Sequence, residues 1–76
     1  MTEQMIEKIT EQLRKVGTAE VLTEGSGYCY IHRPGTAENP GDKYCFAGEG
    51  ADWPPREYAT FAELMAAESR DFVKVV

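Results

Sequence analysis

Both cysteines of the chain lie in one stretch, GYCYIHRPGTAENPGDKYCF (residues 27–46), and each stands between aromatics: Tyr28-Cys29-Tyr30 and Tyr44-Cys45-Phe46. The only histidine, His32, falls between them. Thiols and an imidazole can ligate zinc, two thiols can form a disulfide, and a thiol beside an imidazole can act as a nucleophile with its base. Each of these needs its groups on one side of the backbone.

Residues 28–33 and 42–47 are rich in aromatic and β-branched types and predict two strands. Paired as a hairpin with Cys29 opposite Cys45, they set Tyr28 against Phe46 and Tyr30 against Tyr44. Side chains alternate faces along a strand. One face then carries Cys29, Ile31, Cys45 and Ala47; the other carries Tyr28, Tyr30, His32, Tyr44 and Phe46. On this pairing His32 is turned away from both thiols. No CxxC and no second histidine complete a zinc set. The expectation is two reduced, metal-free, inert thiols packed side by side in the sheet, since free cysteine behaves as a small hydrophobe.

Acid pairs can also do chemistry, and Glu49 with Asp52 in GEGADW is the best placed pair. Nothing apolar around them would raise a carboxyl pKa, so they read as solvated loop acids. The same glycine-rich loop lacks the lysine and hydroxyl residue of a phosphate cradle. No catalytic constellation remains, and the chain reads as a non-enzyme with no cofactor and no metal.

The elements that must position these residues follow from periodicity. Met5, Ile6, Ile9, Leu13 and Val16 recur at helical spacing, with Glu3 in the first turn, Arg14-Lys15 in the last and Gly17 as the stop. They predict a helix over Thr2–Val16. TAEVLTE then alternates with period two. Thr60 and Glu63 form a capping box for a second helix over Phe61–Ser69, and DFVKVV reads as a closing strand. GEGADWPPRE, with Pro54-Pro55, is excluded from helix and central strand. The predicted fold is an α+β two-layer sandwich of residues 1–76, in the order α-β-β-β-α-β, with an antiparallel sheet of three or four strands. Its core is expected to hold Ile6, Ile9, Leu13, Val21, Ile31, Phe61, Leu64 and Val73.

A chain of 76 residues buries only roughly 60% of its unfolded surface, which leaves little room for a deep cavity. No apolar run reaches the ~18 residues of a membrane span, and MTEQMIEKIT does not read as a secretory signal, so a cytoplasmic protein is expected. The net charge is −5, and all of it falls between Glu38 and Asp71, where eight acids face three bases. Nucleic-acid backbones are bound by the opposite kind of surface.

Clustered aromatics beside acids fit a protein contact surface, because Tyr, Trp and Arg are the side chains that anchor interfaces. The candidate contact residues are Tyr28, Tyr30, Tyr44, Glu49, Asp52, Trp53 and Arg56. Trp53 either serves that surface or plugs one end of the core. The alternative is a single-stranded nucleic-acid module that stacks bases on the aromatic face of its sheet.

In its size, its acidic segment, its Tyr28/Tyr30/Tyr44 face and its lack of a catalytic set, the chain resembles the small acidic inhibitors encoded by phages and prophages, of which anti-CRISPR proteins are the best known. The resemblance implies a stoichiometric binder. Its carboxylates would stand in for phosphates on a basic, nucleic-acid-handling surface of a larger host protein or ribonucleoprotein complex.

Overall fold

Thr2 opens the first helix in the computed structural model, which describes residues 2–76. Its hydroxyl accepts the Met5 N–H at 3.2 Å, so Thr2 is the cap and helix α1 runs Glu3–Val16. Gly17 closes α1 in the left-handed region, at φ 84°, with its N–H on the Leu13 carbonyl. The Arg33 guanidinium donates to that same carbonyl at 2.8 Å, so a loop cation is fixed at the negative end of the helix dipole. The second helix, α2, covers Phe61–Glu68. Thr60 accepts the Glu63 N–H at 3.1 Å, and the Glu63 carboxylate reaches back to the Ala59 N–H at 3.2 Å, one residue beyond the usual return of a capping box. A 3-10 turn, Ser69–Asp71, leads from α2 into the last strand.

Five strands form one antiparallel sheet: β1 Thr18–Thr23, β2 Gly27–His32, β3 Tyr44–Gly48, β4 Arg56–Tyr58 and β5 Phe72–Val75, in the order β4-β3-β2-β1-β5. The α+β class holds, and the element order is α-β-β-β-β-α-β. The strand missing from the expected order is β4. It lies at a sheet edge directly after Pro54-Pro55, where the missing proline N–H groups cost no ladder bond.

The β2–β3 register overturns the expected pairing. Cys29 stands opposite Gly48, Ile31 opposite Phe46 and His32 opposite Cys45. This differs from the Cys29–Cys45 pairing by an odd number of residues, and an odd slip turns every side chain of one strand to the other face. Cys29 and Cys45 are therefore on opposite faces, both thiols free, and a bridge between them is excluded by geometry. The long loop of residues 33–43 permits this register and Asn39 fixes it. The buried Asn39 amide donates to the carbonyls of His32 (3.2 Å) and Lys43 (2.6 Å), which ties the two strand ends together.

Both helices pack on one face of the sheet. The core there joins Ile9 and Leu13 of α1, Ala19 and Val21 of β1, Cys29 and Ile31 of β2, Phe46 of β3, Leu64 and Met65 of α2, and Phe72 of β5. Phe61 is half-buried against it. Ile6 and Val73, expected inside, are 41% and 50% exposed. Only the Ile9–Leu13 line of α1 points at the sheet, and Ile6 stands on its flank. On β5 a bulge pairs Lys74 with Leu22 but Phe72 with Thr23, so Val73 has no cross-strand position and Phe72 takes the inward one.

Candidate functional site

The opposite face of the sheet carries no helix. Registers read across the strands place Thr18, His32, Cys45 and Glu57 in one row and Glu20, Tyr30 and Ala47 in the next. Lys74, Leu22 and Tyr28 make a third row. Glu49 follows β3, and its N–H donates to the Tyr28 carbonyl at 2.9 Å, which extends the strand pairing by one residue. This open face mixes apolar and aromatic side chains with charged and polar ones. Tyr28 is 42% exposed, and Leu22, Tyr30, His32, Cys45 and Ala47 are half-buried by their neighbours alone.

Tyr30 sits at the centre. Its ring stacks on the His32 ring, with centroids 6.2 Å apart and planes 14° from parallel. Loss of solvent on the sheet, then the charges of Glu20 and Glu49, push its phenol up. Glu20 stands directly across on β1 and Glu49 diagonally across after β3, so acids flank Tyr30 on two sides. His32 is held by β1: Thr18 spends its only hydroxyl proton on the Ile31 carbonyl at 3.0 Å. The same hydroxyl lies 2.8 Å from His32 Nδ1, which fixes the orientation of the imidazole against β1.

The expectation that His32 is remote from both thiols fails for Cys45, which faces it across the β2–β3 pair. The contact does not make a reactive dyad. Burial and then the Glu57 charge push the Cys45 thiol up, away from thiolate, and no hydrogen bond joins the two side chains among the described residues. Cys29, in the core, is pushed up by burial as well. Among the described residues no group of three His, Cys, Asp or Glu side chains is placed to hold a metal ion.

Of the sequence-derived contact residues, Tyr28, Tyr30 and Glu49 lie on or beside the open face. Tyr44, Trp53 and Arg56 do not. Tyr44 turns to the helix side and packs on Phe61 with ring centroids 5.8 Å apart. Phe46, also expected beside the tyrosines, is core. Trp53 folds back onto Phe46 at 6.1 Å and fills the space over Gly48, where a Cβ would come within 2.7 Å of the indole. It plugs one end of the core. Arg56 lies 4.5 Å over the Trp53 ring and donates to both oxygens of Glu68 at 2.9 Å; the Tyr58 hydroxyl donates to the same carboxylate. That cluster fastens β4 to α2. Asp52 remains exposed in the loop leading to Trp53.

Glu20 and Glu57 were missed by sequence reasoning. For Glu20 a signal was present: the alternation of TAEVLT turns it away from Ala19 and Val21, hence outward. For Glu57 there was none, because its strand follows two prolines. No helix of the described residues is long and apolar enough to cross a membrane. Comparison with known proteins found no matching family model, curated sequence or solved structure.

Proposed function

We propose that this chain is a non-enzymatic, cytoplasmic binding protein that docks the uncovered face of its sheet on a basic surface of a larger protein or ribonucleoprotein complex, in the manner of a phage-encoded anti-CRISPR-type inhibitor. One observation supports this most: Tyr28, Tyr30 and His32 form an aromatic row bordered by Glu20, Glu49 and Glu57, with Lys74 the one cation among the described strand-paired positions of that face. Aromatics supply buried anchors, and carboxylates speed encounter with a positive surface. The raised thiol of Cys45 supports a binding role over nucleophilic chemistry.

A stacking platform for single strands would use the same rings, and the rings favour it. The carboxylates around them oppose a phosphate backbone. Capture on the immobilised chain, with and without competing single-stranded oligonucleotide, separates the two. The expected result is a protein partner whose retention falls with salt and is lost in Tyr28→Ala and Tyr30→Ala, each by about 2 kcal/mol of binding. Oligonucleotide binding tighter than about 1 μM at physiological salt, with no protein retained, would replace this reading by the stacking platform.

A further inference from the structure

The uncovered face has a definite centre, and its chemistry distinguishes between basic side chains. Tyr30 and His32 present two nearly parallel, stacked rings, and the Tyr30 ring is flanked by Glu20 directly across on β1 and by Glu49 diagonally across beyond β3. The residue directly across on β3 is Ala47, which contributes only a methyl group and leaves that side of the ring low. A second copy of this chain is a poor occupant. Its matching face would bring Glu20, Glu49 and Glu57 against the same three acids, with one Lys74 per copy to offset them.

We infer that the face is a seat for an arginine side chain of a protein partner, its guanidinium lying flat on the face of the Tyr30 ring turned away from His32 while its edge donates to Glu20 and Glu49. The inference rests on the protein-binding reading above and specifies its partner chemistry. A guanidinium is planar, weakly hydrated and carries its donors in the ring plane, so it can stack and bridge two carboxylates at once. A lysine ammonium is a strongly hydrated point charge that meets the acids but gains less from the flat ring. Loss of solvent first, then the charges of Glu20 and Glu49, push the Tyr30 phenol up, in keeping with acids on both sides of the ring.

The test uses short poly-arginine and poly-lysine peptides of equal length, titrated calorimetrically into the full chain at ~0.15 M salt. The arginine peptide is expected to bind about tenfold more tightly. Tyr30→Phe should keep that preference and Tyr30→Leu should abolish it, while Glu20→Gln with Glu49→Gln should weaken both peptides. Should Tyr30→Leu lose its fold, amide shift mapping on the unaltered chain decides, with the perturbation expected at Glu20, Tyr30 and Ala47. Equal affinity for the two peptides, or shifts confined to α1 and α2, overturns the arginine seat and leaves the broader basic-surface reading standing. Peptide binding displaced by single-stranded oligonucleotide at the same residues overturns both.

Discussion

The two cysteines provide a comparison within one sheet. Cys29 lies on the covered face, fully buried among Val21, Ile31 and Leu64; Cys45 lies on the open face between His32 and Glu57. Their local sequences are nearly the same, an aromatic on either side. What differs is the layer each one faces. On the covered side Ala19, Val21, Cys29, Ile31 and Phe46 share one core with residues of both helices, and their worth is measured in packing. On the open side the neighbours are cross-strand partners only, and the residues are free to be chosen for what they contact outside the molecule. On the binding role proposed above, stability and recognition are divided between the two faces of a single pleat.

The largest test of that division is Ile31→Ala. Ile31 is fully buried between the helices and β3, so the substitution should cost about 2–5 kcal/mol and lower the melting temperature steeply. The adjacent Tyr30→Ala should leave the melting temperature almost unmoved while removing partner binding. Equal thermal losses from these two neighbours would mean that the open face is structural after all.

A finer version uses the thiols. Cys29→Ser places a hydroxyl in an apolar site with only Thr23 nearby, 4.0 Å away, and is expected to cost about 1–3 kcal/mol in denaturant unfolding. Cys45→Ser, half-exposed on the other face, should stay within about 0.5 kcal/mol. The reverse ranking would contradict the register.

The smallest effect is alkaline. Cys29 and Tyr58 on the covered side, and Cys45 and Tyr30 on the open side, all hold their protons above the ordinary thiol and phenol values of 9.0 and 10.0. A folded pKa above the unfolded one gives stability that is complete below the unfolded value and is lost as pH rises through the folded one. Melting temperature should therefore hold near pH 8 and decline toward about pH 11. Cys45→Ser with Tyr30→Phe should retain the covered-side share of that decline. A flat profile in the double variant would assign the whole effect to the open face.

Much of this architecture was legible in the residues. The Ile9–Leu13 line, the charges at the helix ends, the Gly17 stop and the Thr60 cap located both helices, because each is a local rule satisfied by neighbours in sequence. The alternation of Ala19, Val21 and Thr23 set the inward face of β1. The register of β3 was not legible. Its odd and even positions, Tyr44 and Phe46 against Cys45 and Ala47, are both apolar enough to face a core, so patterning does not choose between them. A tight turn would have fixed the pairing; the long loop organised by Asn39 fixes it through hydrogen bonds made only once the chain is folded. The candidate site divided along the same line. Tyr28 and Tyr30 follow from the alternation of β2, whereas Tyr44 was assigned outward on a parity that the register reverses; Glu49, Trp53 and Arg56 were grouped with them on residue type and closeness in sequence.

The placement of Trp53 has a practical side. It is the only tryptophan of the chain, and it is clamped between Phe46 and Arg56 on the helix-covered side. Its intrinsic fluorescence is therefore a gauge of the packed layer, shifting when Phe46 or the Arg56–Glu68 pair comes apart. On the proposed reading a partner docks across the thickness of the sheet from the indole, and the optical signal that follows unfolding is then silent to it. Folding and recognition can be read in the same cuvette by two separate colours: the native indole for the one, and a dye placed on the Tyr28 side for the other.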